Sequence, residues 1–287
     1  MLADHRSSMQ LFVDRVQQRS RLSDSEADAL LTLSGSVSIA RANEDIVSPG
    51  TTTVHTCLVL DGLAGRFGQV IDGRRQITAL HIAGDMCDLN SLVMPEADWA
   101  LQALSPTAIL RIPHAQMLEV ARSYPNIAEA FWRDCSADAS ILSEWLINVG
   151  RRDARSRLAH LLCEMAIRLE NAGLGNRREF RLQATQTQLG DALGLTPVHI
   201  NRTVQTLRRM ELVTLRAHEV RILDWDRLAG LGDFDEDYLQ MGVRDASRGP
   251  PSTALARRSR TRDRCAAACA PQCTAPRWRS LSGLRMT

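Results

Sequence analysis

Lysine is absent: every one of the 35 basic side chains is arginine. That fits a GC-rich coding bias better than a functional demand. Long apolar runs are absent too. The longest stretch free of Asp, Glu and Arg, residues 46–60, contains Ser, Pro and several Thr, too short and too polar to span a bilayer. No transmembrane helix and no membrane partner are expected. Asp4, His5 and Arg6 at the start do not make a secretory signal, so the expected location is cytoplasmic. Seven cysteines, an odd number in a reducing compartment, argue against a disulfide framework. A Gly-rich phosphate loop, a close-spaced metal-ligand motif and a recognisable nucleophile motif are all missing. An enzyme is therefore the least expected class, and no cofactor and no metal site are expected.

What is present is an ordinary globular composition, 44% hydrophobic and 24% charged over 287 residues, enough for about two domains with cores of their own. The net charge of +2 hides an uneven distribution. Up to Met241 there are 25 Arg against 31 acidic residues, whereas residues 242–287 hold 10 Arg against Asp245 and Asp263. This Arg-rich end lacks helical or strand periodicity and reads as a disordered tail. It either adds non-specific affinity for DNA or is an extension without a role, such as out-of-frame read-through. Its cysteines, Cys265, Cys269 and Cys273, repeat at four-residue steps unlike a zinc or iron–sulfur run.

Patterning divides the rest. Residues 21–33 read as a short amphipathic helix opened by a capping box of Ser23 and Glu26. Short apolar runs follow, Cys57-Leu58-Val59-Leu60, Gln69-Val70-Ile71, Ile77-Thr78-Ala79-Leu80 and Ala108-Ile109-Leu110, separated by Pro-Gly, Asp-Gly and Gly-Asp turns. Such spacing predicts an antiparallel β-roll of about eight strands. After Pro113 come a short helix, residues 114–123, and a long one, residues 125–149. Ile127, Phe131, Cys135, Asp138, Leu142, Trp145 and Val149 make a stripe on the long helix, apolar except at Asp138. A parallel copy of the same helix is the simplest partner for it, so those six apolar residues are the candidate dimerisation set. Packing on its own domain is the other reading. Gly150-Arg151-Arg152 interrupts the pattern, and another helix spans residues 153–171. The expected domains are thus a β-roll domain with flanking helices at 1–124, a dimerisation helix at 125–150, a helical domain at 151–241, and the 242–287 tail.

The most specific signal lies in residues 185–209, TQTQLGDALGLTPVHINRTVQTLRR. Leu189, Ala192 and Leu193 form the inner face of a first helix, Gly194 permits a left-handed turn, and Leu195 plugs the gap, which is helix-turn-helix spacing. Thr196 is a good N-cap and Pro197 suits the first helical position. Wound at about 100° per residue, Ile200, Val204 and Leu207 face inward, while Val198, Arg202, Gln205 and Arg209 point away, flanked by His199 and Asn201. Arg can fork to guanine, Asn or Gln can pair with adenine, and Val can touch a thymine methyl. The candidate DNA-binding residues are Thr196, Val198, His199, Asn201, Arg202, Gln205, Arg208 and Arg209. Arg202 is the first choice for base readout, and Arg208 and Arg209 the choice for phosphates. Two short β runs after this helix read as a wing.

A β-roll, a long helix, a helix-turn-helix and a wing, in that order, resemble the Crp/Fnr family of bacterial transcription regulators, over about residues 22–239. The resemblance implies an α+β fold: an N-terminal domain of the cyclic-nucleotide-binding type, a dimerisation helix, and a C-terminal winged helix-turn-helix. It implies a homodimer on double-stranded DNA with a pseudo-palindromic operator, and RNA polymerase as a candidate partner. The family's Glu-x-x-Ser-Arg falls on Val198, Asn201 and Arg202, so the Arg is kept and the Glu and Ser are not. Where relatives that bind cyclic AMP carry Arg-Ser, this chain has Asp98-Trp99, a carboxylate where an anion would sit. No Cys precedes Cys57, which leaves the Fnr-type iron–sulfur cluster without ligands. His55, Cys57, His81 and Cys87 are left as a haem, metal or thiol site only if they converge. A FixK-like regulator needing no small ligand is the default expectation. The competing class is a ligand- or redox-sensing module that acts through protein partners with a vestigial helix-turn-helix.

Overall fold

The computed structural model describes residues 5–241. The expected tail and its three cysteines lie outside them. Helix α1 (His5–Arg19), which the patterning reading did not single out, buries Phe12, Val13 and Val16. Helix α2 (Asp24–Leu31) carries the expected capping box, with Ser23 and Glu26 each bonding the other's backbone. Seven strands follow rather than about eight. β1 (Ser36–Ala40), β7 (Thr107–Pro113) and β3 (His55–Asp61) form one antiparallel sheet, in the order β1-β7-β3. β2 (Asp45–Val47), β6 (Ala100–Ala103), β4 (Ala64–Gln69) and β5 (Arg75–His81) form the other, in the order β2-β6-β4-β5.

The run Gln69-Val70-Ile71 is a correction. β4 stops at Gln69, and Val70 and Ile71 lie exposed in the hairpin tip. The Asp72-Gly73 turn needs them, because Val70 N–H donates to the Arg74 carbonyl and Gly73 N–H to the Val70 carbonyl.

Helix α3 (His114–Ser123) ends before Pro125, and α4 (Pro125–Arg151) starts there with proline in its first turn. Gly150 does not interrupt α4. The helix runs to Arg151, and the chain turns extended at Arg152. Asp153 then accepts from the amides of Arg155 and Ser156, which starts α5 (Ala154–Asn171). α5 is nearly enclosed: Leu158, Leu162, Cys163, Met165 and Ala166 are fully buried. A third, small sheet, β8 (Glu179–Arg181), β10 (Glu219–Ile222) and β9 (Val213–Arg216), flanks α6 (Gln186–Leu193) and α7 (Pro197–Arg209). Helix α8 (Trp225–Gly232) and a 3-10 turn (Glu236–Leu239) close the described chain. One core joins Leu63, Phe67, Ile77 and Leu80 of the β-roll to Leu158, Leu162, Leu189 and Leu193 of the C-terminal helices.

Candidate DNA-binding face

The helix-turn-helix is built from local rules. Thr185 and Gln188 form a capping box at the start of α6. The Gln188 side chain also donates to the Leu104 carbonyl at 2.9 Å, tying α6 to the β-roll. Gly194 takes φ +64 at the turn, a left-handed conformation that costs glycine little. Gly190 is required for another reason: a Cβ there would collide with the Leu195 carbonyl oxygen as the turn closes over α6. Arg157 of α5 donates to the Leu193 carbonyl at 2.9 Å, satisfying the end of α6. Thr196 accepts from the His199 amide at 3.2 Å and opens α7.

Ile200, Val204 and Leu207 are buried beneath α7, with Thr203 beside them. Val198, His199, Asn201, Arg202, Gln205, Arg208 and Arg209 are all exposed, and so is Thr196. The eight candidate DNA-binding residues therefore lie on one accessible helix and its cap. Arg202 and Arg208 make no ion pair among the described residues, while Arg209 donates to the Thr206 hydroxyl at 3.1 Å. A 13-residue helix is about 20 Å long, and its outer face fits a major groove about 12 Å wide. Beside it the wing reverses through a two-residue turn, Ala217 and His218, both at positive φ.

The α4 stripe divides. Ile127, Phe131 and Trp145 are buried in the chain's own core. Trp145 also donates its indole N–H to Glu164 at 2.8 Å. Those three are therefore corrected from candidate dimer contacts to core residues: their apolar surface is already covered within the chain. Leu142 is exposed, and Cys135 and Val149 are half-buried. The outward face continues through Trp132, 69% exposed, and Leu146, 71% exposed. The stripe was drawn one phase too far toward the inner face. Asp138, its polar break, lies 3.6 Å from Arg15 of α1 and lines a cavity.

That cavity, about 270 Å³, lies between β4, β5, the Asp98-Trp99 loop and α4, and is bordered by Arg66, His81, Asp98, Trp99, Asp138 and Arg168. Arg66 stacks over the Trp99 ring at 4.5 Å. The reading of Asp98 as a carboxylate without Arg is corrected, because Arg66 and Arg168, distant in sequence, line the same space. His55, Cys57, His81 and Cys87 do not converge into a metal site, and no group of three or more His, Cys, Asp or Glu among the described residues does. His55 Nε2 lies 2.6 Å from Arg111. Burial raises the Cys57 and Cys87 thiols well above their ordinary range and lowers the His81 imidazole well below its own.

Known proteins agree with this architecture. The model of the Crp-like helix-turn-helix domain matches residues 156–231. The fumarate and nitrate reduction regulatory protein of Vibrio cholerae serotype O1 is 23% identical over 216 residues, 75% of this chain and 86% of that protein. The transcriptional activator protein Anr of Pseudomonas protegens is 25% identical over 173 residues, 60% of this chain and 70% of that protein. The solved structure of FixK2 from Bradyrhizobium japonicum shares the fold at a TM-score of 0.64 and 24% identity, covering 69% of this chain and 98% of that one. A β-roll joined by a long helix to a winged helix-turn-helix with an open outer face defines a DNA-binding regulator of transcription. The chain carries a Crp-like helix-turn-helix domain at residues 156–231 and is similar in sequence and fold to bacterial transcription regulators of the Crp/Fnr type.

Proposed function

We propose that the chain works as a cytoplasmic homodimer that places one α7 in each half-site of a pseudo-palindromic operator, about 34–36 Å apart. The observation that carries this reading is the outer face of α7, where Arg202 stands exposed among Val198, His199, Asn201 and Gln205 with no acid paired to it. Arg202 reads a base, the neighbours tune it, and Arg208 and Arg209 hold phosphates. The dimer forms through the outward face of α4, Trp132, Cys135, Ala139, Leu142, Leu146 and Val149, whose alternating steps of three and four make a coiled-coil seam. RNA polymerase is the partner that the operator-bound dimer engages, and no enzymatic activity is assigned.

A second element of the reading rests on the β-roll cavity. Its two guanidinium groups and Trp99 support a small effector rather than a regulator that needs none. The test of the whole is selection from a random duplex library by the full chain, followed by sequencing of what it retains. Enrichment of an inverted repeat with half-sites one helical turn apart supports the dimeric reading. Uniform, sequence-independent retention contradicts it and favours the partner-binding class.

A further inference from the structure

Where α4 hands over to α5, a histidine is sealed inside the junction. His160 of α5 is 1% exposed, its ring stacked on Tyr238 and met edge-on by Phe234. Its Nδ1 donates to the Gly232 carbonyl at the end of α8, at 3.1 Å. That bond requires the proton on Nδ1 and leaves Nε2 facing the Tyr238 hydroxyl at 3.1 Å and Glu144 of α4 at 3.7 Å. Tyr238 also donates to Glu164 at 2.9 Å, so one hydroxyl hydrogen lies between two acceptors. Hydrogen bonding alone therefore accommodates either charge state of the ring.

The balance of charge decides between them. The groups facing His160 are Glu144 from α4, Arg152 from the link, Glu164 from α5 and the Tyr238 phenol. Glu144 is paired with Arg152 at 2.7 Å and Glu164 with Arg168 at 3.1 Å. Asp233, largely exposed, reaches only Arg152, at 3.6 Å. Both carboxylates beside the ring are thus already paired with guanidinium groups when His160 is neutral, and Arg168 is shared with Asp85 as well. Arg152 is already under-served, its Nε and Nη1 being buried without a partner. A proton on His160 adds a buried cation with no anion of its own.

We propose that His160 is a proton-released latch: neutral, it holds α4, α5, α8 and the Tyr238 turn together, and protonated, it lets the DNA-binding half loosen from α4. Burial, then Arg152, holds the imidazole below its ordinary value of about 6.5, against the pull of Glu164, the Gly232 carbonyl and Glu144. A base that takes protons more readily in the open junction than in the closed one drives opening as pH falls. The contribution to closure is full above about pH 6.5 and is lost as pH drops through and below that value.

Hydrogen exchange on the full chain at two pH values, corrected for the intrinsic chemical rate, tests this in peptides covering residues 148–157 and 228–239. In the unaltered protein, protection falls by about five- to tenfold between pH 7.5 and 5.5. His160→Gln abolishes that difference. Glu144→Gln enlarges it, because losing one anion leaves the proton still less welcome in the closed state. Protection that ignores pH, or a pH response that survives intact in His160→Gln, overturns the latch. Should His160→Gln fail to fold, the contrast between Glu144→Gln and the unaltered chain decides. The measurement uses no DNA, so its failure is distinct from failure of the operator reading.

Discussion

Arginine does opposite work at the two ends of this molecule. On α7, Arg202 and Arg208 point into solvent without an acidic partner among the described residues. In the interior, Arg15 and Arg19 of α1 and Arg168 of α5 are held by carboxylates, Asp85 and Asp134 among them from distant parts of the chain. Arg15 bonds Asp85 and lies 3.3 Å from Asp134. Arg19 bonds Asp134 as well and donates to the Leu239 carbonyl. Arg168 bonds Asp85 at 2.7 Å, Glu164 at 3.1 Å and the Leu80 carbonyl at 2.7 Å. Burial pushes the Asp134 carboxyl up, but Arg15 and Arg19 bring it below the usual carboxylate range. A buried guanidinium with its acids fixes where elements sit, whereas an exposed one is free to meet a phosphate or a base edge. In a chain whose only strong cation is arginine, environment rather than residue type separates architecture from recognition.

The sharpest way to break that contrast is Arg168→Ala. Removing one member of a buried ionic network leaves Asp85 and Glu164 short of a partner and destabilises by about 3–5 kcal/mol. Urea unfolding checks this, with a lower midpoint and an unchanged slope. Arg202→Ala is the converse. It leaves the unfolding free energy within about 0.5 kcal/mol of the original and weakens binding to the selected operator by roughly 1–3 kcal/mol. The smallest effect is expected for Arg208→Ala, which weakens binding to all duplexes alike and lowers the slope of log affinity against log salt by about 1, as loss of one phosphate contact requires. Were Arg168→Ala neutral to stability, or Arg202→Ala as disruptive to folding, the division between inner and outer arginines would fail.

The same contrast explains what could be read from the residues alone. The helix-turn-helix was legible because its signals are local: Leu189, Ala192, Leu193, Gly194, Leu195, Thr196 and Pro197 fall within nine positions, and each acts on its near neighbours. The capping box at Ser23 was legible for the same reason. What escaped depends on contacts between distant segments. Helix α1 is anchored by Arg15 and Arg19 to Asp134, more than a hundred residues on, and no periodicity announces such a bond. Arg66 and Arg168 reach the cavity from β4 and α5, so the Asp98 loop looked bare of cations. The α4 stripe was right in period and off in phase. Cys135, Leu142 and Val149 stay near the outer face, but Ile127, Phe131 and Trp145 turn inward because α1, α3 and α5 supply partners that a single helix cannot reveal. Strand β8 is three residues long, too short to stand out as a pattern.

The central claim is that the outer face of α7 reads bases through Arg202. It is tested most directly by measuring affinity for every single-base variant of the selected half-site, with the unaltered chain and with Arg202→Ala. Discrimination is expected to collapse at one base pair, from roughly 1–3 kcal/mol to near zero, while the other positions keep theirs. An equal loss across all variants, with the base preferences unchanged, would show that Arg202 only grips the backbone and would contradict it.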